Sequence, residues 1–133
     1  MGLCEDLRTQ LIAGGMSAGS LFIAEAPEKP DTALAITASG GLGPTRTMSG
    51  QPATAPLEHL RVQCRARATT YVACDALMTQ AYALLSGLGE TVIGSRRYYY
   101  VRPVQPPYYL GLDGAARPVI AVNFDVQRKE DNN

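Results

Sequence analysis

One segment with strict alternation, followed at once by a helical pattern, constrains the fold of this chain most. Between residues 60 and 67, apolar residues alternate with polar ones: Leu60, Val62, Cys64 and Ala66 on one side, and Arg61, Gln63, Arg65 and Arg67 on the other. A period of two predicts a strand with one buried face. Thr69 or Thr70 can cap the helix that follows. Its predicted apolar stripe is Ala73, Leu77, Ala81, Leu84 and Leu88, and it ends near Gly87.

The rest of the chain adds one helix and several strands. Leu3, Leu7 and Leu11 predict a short amphipathic helix that ends at Gly14. Apolar runs predict strands at 21–24, 33–38, 91–93, 96–102 and 118–126. Prolines at 103, 106 and 107 predict an extended segment that does not pair, and residues 128–133 predict a frayed polar tail. We therefore expect a single α+β domain over residues 1–133, an antiparallel sheet with two helices packed on one face.

Residues 39–56 form the one long stretch of Gly, Pro, Ser and Thr, with almost no large apolar residue. Such a stretch predicts a long exposed loop between two strands. It resembles a phosphate-binding loop only superficially, because it lacks the Gly-Lys-Ser/Thr sequence and Pro44 has no backbone donor. We expect the loop to reach a neighbouring subunit or partner.

The residues that carry most catalytic and metal chemistry are scarce. Three scattered cysteines form no C-x-x-C pair, His59 is the only histidine, and no G-x-S-x-G sequence occurs. Cys64 and Cys74 fit a core as small hydrophobes, and His59 fits a strand edge. Acidic residues near the N-terminus and the lack of a run of about 20 apolar residues predict a protein made in a cytoplasm, without a membrane partner. The sequence thus predicts no enzyme, no metal and no cofactor.

The charges are unevenly distributed although the formal net charge is zero. Six acidic residues against three basic ones precede His59, whereas seven arginines against three acidic residues follow up to Arg117. Zero net charge argues against general nucleic-acid binding. The segregation fits either ordinary solvated faces or complementary surfaces of neighbouring copies in an assembly. Ten of the twelve basic residues are arginine, a residue enriched at interfaces, which favours the second interpretation.

Arginine and tyrosine concentrate in two strands, and these residues are the candidate contact site. The set comprises Arg61, Arg65, Arg67, Arg96, Arg97, Tyr98, Tyr99 and Tyr100, with Arg46 in the long loop. Tyrosine beside arginine is typical of protein interfaces. The same mixture can stack nucleic-acid bases, and it can also serve a core or a solvated face.

Five segments in this order resemble a known family. They are the strand 60–67, the helix end Leu84-Leu85-Ser86-Gly87-Leu88, the turn at Thr91-Val92-Ile93-Gly94, the Pro106-Pro107 segment, and the stretch 113–124 that contains Asp113-Gly114 and Val119-Ile120-Ala121-Val122. Together they resemble the small tail terminator and minor capsid (tail completion, neck) proteins of tailed bacteriophages.

That resemblance implies a structural virion protein of the neck, made in the host bacterial cytoplasm. It implies an α+β subunit that closes into a hexameric ring, terminates the tail tube and joins the tube to the head connector. The implied partners are further copies of the chain, the tail tube protein and the head connector or stopper protein, with the sheath or passing DNA as further contacts. Two alternatives are a head completion or stopper protein and a small α+β nucleic-acid-binding module.

Overall fold

A computed structural model describes residues 2–45, 57–94 and 96–130. Within these residues the chain forms two α-helices, a 3₁₀ helix at Ala18–Ser20 and seven strands. In chain order they are α1 (Leu3–Ala13), β1 (Leu21–Ile23), β2 (Ala33–Thr45), β3 (Leu57–Arg67), α2 (Tyr71–Ser86), β4 (Thr91–Ile93), β5 (Arg96–Pro103), β6 (Tyr108–Leu112) and β7 (Pro118–Glu130).

Strand β7 is the central strand of the sheet and pairs with three others. The strand order is β1-β2-β3-β7-β5-β4, and β6 also pairs with β7. One edge of β7 pairs with β3 along its length, from Glu58 opposite Arg128 to Arg67 opposite Val119. The other edge pairs with β5 through its C-terminal half and with β6 through its N-terminal half. The strand that closes the chain therefore organises the sheet together with β3.

The alternation of β3 is confirmed by the structure. Val62, Cys64 and Ala66 are fully buried, and the register aligns Cys64 with Ile36 of β2 and Val122 of β7. Apolar residues of both helices join this same side of the sheet in one core cluster: Leu3, Leu7 and Leu11 of α1, and Cys74, Met78, Ala81 and Leu85 of α2. The α+β architecture with both helices on one face is therefore confirmed.

The N-terminus of α2 is capped as expected, but the buried face of the helix is rotated from the predicted one. The Thr70 hydroxyl accepts a hydrogen bond from the backbone N–H of Ala73 at 3.2 Å. Of the predicted stripe, Ala81 is buried, Leu77 is half-buried and Ala73 is exposed. Apolar residues lie on nearly every side of this helix, so packing rather than periodicity selects the buried one.

The sheet is mixed rather than wholly antiparallel, because β1 and β2 run parallel. The segment 24–32 that joins them contains Pro27 and Pro30, which prevent a tight hairpin. The segment carries the chain back across the sheet, so that β2 begins at the same end of the sheet as β1. The prediction of an antiparallel pair at this position was wrong.

Three predicted irregular segments belong to strands. Strand β2 continues through Thr45, where it pairs with Leu57, so residues 39–45 are not loop; residues 46–56 lie outside the described residues. Strand β6 pairs with β7 because both prolines precede it and leave its own donors intact. Strand β7 reaches Glu130, and Arg128 in the predicted frayed tail is buried; residues 131–133 lie outside the described part.

Candidate interaction face

The side of the sheet opposite the helices carries the alternating polar residues. Arg61, Arg65 and Arg67 of β3 lie there, since their neighbours in β3 are buried beneath the helices. The register places Asp125 of β7 beside Arg61 and Ala121 beside Arg65. Because no helix covers this side, it is called the open face below.

Arg61 is neutralised within the chain. Its Nε and Nη2 atoms both lie 2.9 Å from Oδ1 of Asp125 on the neighbouring strand. Both side chains are nearly half exposed, so the pair is screened by water and contributes little stability. The pair removes Arg61 from the charges that remain available to a partner.

Arg67 fastens the segment 24–32 to the open face. Its guanidinium donates to the carbonyl oxygens of Pro27, Pro30 and Asp31, the last two at 2.7 and 3.3 Å. The Nε and Nη2 donors of Arg67 are thus used within the chain, which makes this side chain a structural clamp for the segment.

Arg117, the residue before β7, supports the same segment. It donates to the carbonyl oxygen of Glu28 at 2.7 Å and to Asp31 Oδ1 at 3.1 Å, while its Nε donates to Asp113 at 2.9 Å. The backbone N–H of Arg117 is the main reason that the pKa of Asp113 lies below its ordinary value. No local sequence pattern indicates this clamp, because Arg117 meets a segment some 90 residues earlier in the chain.

Arg65 is the exception on the open face. Across the described residues, its exposed guanidinium has neither a hydrogen bond nor an ion pair. Its cross-strand neighbours are the small residues Ala35 and Ala121, which leave space around it. It lines a cavity of about 180 Å³ whose floor includes Ala33, Ala35 and Val119. Arg65 is thus the arginine of β3 with donors to offer.

A second cavity of about 320 Å³ lies further along the open face. It is lined by Ser39, His59, Leu60, Arg61, Tyr100, Asp125 and Val126. Arg102 on β5 covers the Tyr100 ring, with its guanidinium carbon 3.9 Å from the ring centroid. Arg102 was not among the predicted contact residues, although its i, i+2 spacing from Tyr100 places both on one face of a strand.

The remaining predicted contact residues are divided between the two sides of β5. Register places Arg97 beside Lys129 on the open-face side, and Arg96 beside Glu130 on the helix side. Arg97 pairs with Glu90 at 3.2 Å, and Arg96 pairs with Asp6 at 3.4 Å. Tyr99 lies at a register shift and is half-buried, and Arg46 lies outside the described residues.

Tyr98 is fully buried on the helix side, where it belongs to a charged cluster. Its hydroxyl donates to Asp6 Oδ2 at 2.5 Å and accepts from Arg128 Nη1 at 3.1 Å. Burial, and then the hydrogen bond to Asp6, raises the pKa of this phenol well above its usual value. Arg128 also donates to Glu58 at 2.9 Å. This cluster ties α1, β3, β5 and β7 together, so the Tyr98 ring is core rather than surface.

The described segments contain no group of three or more His, Cys, Asp or Glu side chains that could hold a metal ion. Nor does any helix in those segments have the length and apolarity needed to cross a membrane. Among the described residues, the open face combines an arginine that has no hydrogen bond or ion pair with a small cavity beside it.

Comparison with known proteins identifies the family. Residues 8–130 match the family described as bacteriophage tail terminator protein, so this chain belongs to that family. A chain from the virion of a native gene transfer agent particle has the same fold, with a TM-score of 0.61 and 12% sequence identity over 96% of this chain and 94% of that chain. No match to a curated protein was found. The resemblance inferred from the sequence is confirmed, and the chain is a structural protein of the phage tail.

Proposed function

We propose that this chain forms a homo-oligomeric ring, of six copies, that ends the tail tube and offers a surface to the head connector. The observation that carries the proposal is the family match over residues 8–130, which includes α2 and every strand of the sheet. The structurally similar chain comes from a virion particle, which supports a place in the assembled virion for this chain as well. The proposed location is the neck, after synthesis in the host cytoplasm.

The open face supplies the contact surface in this proposal. Arg61 and Arg67 use their donors within the subunit, so Arg65 is the arginine of β3 that remains for a carboxylate, a carbonyl or an aromatic ring of a neighbour. A ring requires two unlike surfaces on every subunit, because each copy contacts the next head to tail. The charged open face and the helix layer are two such unlike surfaces.

Recognition by shape and charge suits the described residues better than base stacking does. The Tyr98 ring is buried and one face of the Tyr100 ring is covered by Arg102, so these two rings offer little free surface for stacking with a base. A terminator that joins tube and connector needs no covalent chemistry. In the proposal, passing DNA is a transient neighbour of the ring, and the tube protein and connector are its lasting partners.

Reversal of the charge at Arg65 tests the proposal. Arg65→Glu should leave the monomer folded, because the guanidinium holds nothing within the described chain, and should reduce the fraction of tail tubes capped at equal protein concentration. Arg65→Lys is the control, since it keeps the positive charge at the same position. Equal capping by both variants and the unmodified chain would remove the open face from the contact.

A further inference from the structure

Large apolar side chains lie exposed at the junction of α2 and β6. Of the eight exposed large hydrophobic residues among those described, five occur in these two elements: Tyr71, Val72, Tyr109, Leu110 and Leu112. The rings of Tyr71 and Tyr109 pack edge to face with centroids 5.6 Å apart, which joins the start of the helix to the strand. These five residues are called the apolar patch below.

Two strand residues of the apolar patch, Tyr109 and Leu112, lie on the helix side of the sheet, and Leu110 lies at the register shift between Tyr109 and Gly111. Tyr109 is in register with Ile120 and Leu112 with Pro118, and Ile120 belongs to the core beneath the helices. Charge is sparse around the patch: α2 carries only Asp75 in 16 residues, and β6 carries no charged residue. Depletion of charge with enrichment of aromatic residues is typical of the central part of a protein interface.

The apolar patch is about as large as the largest apolar patch on a typical monomer, and such patches are often functional. Its members are 45% to 78% exposed. If each side chain contributes about 150–200 Å² when fully exposed, the patch presents roughly 400–600 Å² of apolar surface. The largest patch on a typical monomer is about 300–600 Å², and a standard interface buries about 800 Å² per partner. The patch is therefore large enough to form the apolar centre of a standard-size interface.

The open face carries a cavity whose apolar lining suits the side chains of the apolar patch. The 180 Å³ cavity beside Arg65 is lined by small apolar residues, namely Ala24, Ala26, Ala33, Ala35 and Val119, with Arg65, Arg67, Glu25 and Asp113 around them. Small-molecule sites usually measure about 300–1,000 Å³, so this cavity suits a single inserted side chain. The guanidinium of Arg65 is able to lie over an aromatic ring placed beside the cavity.

The apolar patch and the cavity lie on opposite sides of the sheet, so they cannot meet within one subunit. Two unlike surfaces that fit each other produce a head-to-tail contact, which closes into a ring when the rotation between copies allows it. We propose that the apolar patch of one copy docks on the open face of a second copy and inserts an apolar side chain into the alanine-lined cavity beside Arg65. This inference rests on the proposed function, for which it names the contact between neighbouring subunits.

Disulfide cross-linking between copies tests this contact. The double variant Leu112→Cys with Ala26→Cys places one thiol in the patch and one in the cavity. Cys4, Cys64 and Cys74 are buried and contribute little background. After oxidation of rings formed on tail tubes, electrophoresis without reductant should show a ladder of linked subunits. The control combines Ala26→Cys with Val92→Cys, because Val92 is also exposed, at 44% against 62% for Leu112, but lies on the edge strand β4, outside the patch and separated from β2 and β3 of the cavity by β5 and β7. A ladder in the control alone, or in neither variant, overturns the proposed contact.

A charge placed in the apolar patch provides an independent measurement. Leu112→Lys should reduce ring formation about tenfold or more, as expected for truncation or desolvation at the centre of an interface. Val92→Lys should assemble like the unmodified chain, and both variants should keep their thermal unfolding midpoints. Equal assembly of the two variants contradicts the proposed contact. If the unmodified chain forms no rings on tubes, the proposed function fails together with this inference; if it forms rings without the predicted cross-link, only the inference fails.

Discussion

Replacement of Arg128 by alanine is expected to destabilise the fold more than any change on the open face. The guanidinium is 2% exposed and donates to Glu58 and to the hydroxyl of Tyr98, which itself donates to Asp6. Removal of one partner from a buried ion pair costs about 3–5 kcal/mol, because the remaining charge stays desolvated without compensation. For a chain of this length, 1 kcal/mol corresponds to roughly 3–5 °C in Tm, so we expect a fall of about 10–20 °C.

Tyr98→Phe tests the same cluster without removing the charge. It deletes the hydroxyl that links Asp6 to Arg128. Because hydrogen bonds to charged groups are lost, we expect the free energy of unfolding to fall by about 1.5–3 kcal/mol. Lys129→Ala is the matched control, since Lys129 is the next residue of β7 and lies on the other side of the strand. Its effect should stay within about 0.5 kcal/mol.

Thermal unfolding and urea unfolding, both followed by circular dichroism, measure all three variants. The order of stability should be unmodified chain and Lys129→Ala first, then Tyr98→Phe, and Arg128→Ala last. If Arg128→Ala unfolds within about 3 °C of Lys129→Ala, the cluster does not stabilise the fold as we infer. That result would favour the sequence-based expectation of a frayed end after residue 127.

Three further predictions concern single groups. Thr70→Ala should cost about 1 kcal/mol of unfolding free energy through loss of the helix cap, and Thr69→Ala should cost almost nothing; equal costs in urea unfolding would contradict this assignment. Burial raises the pKa of Cys64 to about 12, so its thiol should resist iodoacetamide at pH 8 until the chain unfolds, and rapid labelling detected by mass spectrometry would show that the site is open. The backbone N–H of Arg117 lowers the pKa of Asp113 in the folded chain, so this carboxylate stabilises the fold above its ordinary pKa of about 3.9 and loses that effect as the pH falls through its folded pKa. The difference in Tm between the unmodified chain and Asp113→Asn should therefore shrink below pH 4. A constant difference would refute this linkage.

Local patterns in the sequence predicted the elements that depend on local physics. Strand β3 shows period two because one of its sides faces the helices, and the α2 cap follows from a hydroxyl at the right distance from the first turn. Both features are readable within a few residues. The parallel β1–β2 pair was missed because the path of the segment 24–32 depends on Arg67 and Arg117, which lie far away in the chain.

Long-range charge pairing explains the other errors. From the local sequence, Arg128 is predicted to belong to a polar tail. In the fold it contacts Glu58 and Tyr98, which lie 70 and 30 residues earlier in the chain. In the same way, the charge segregation along the sequence indicated a contact surface but could not separate Arg61, which is paired, from Arg65, which is not. The fold decides which arginine remains available.

The exposed apolar residues show a further gap. Tyr109 and Leu110 follow two prolines, which led us to expect an unpaired segment, yet they form an edge strand beside the start of α2. Their meeting with Tyr71 depends on the packing of α2 against the sheet. No periodic pattern in the sequence predicts such an exposed patch.

The central claim is that this chain assembles into a ring that terminates a tail tube. The most direct test is the mass of the purified chain by light scattering at several concentrations, alone and with tail tubes that lack a terminator, together with negative-stain images of the tube ends. We predict a ring of copies, either free or formed on the tube end, and tubes that stop growing once capped. A monomer that ignores the tubes and is instead retained by nucleic acid would contradict the claim.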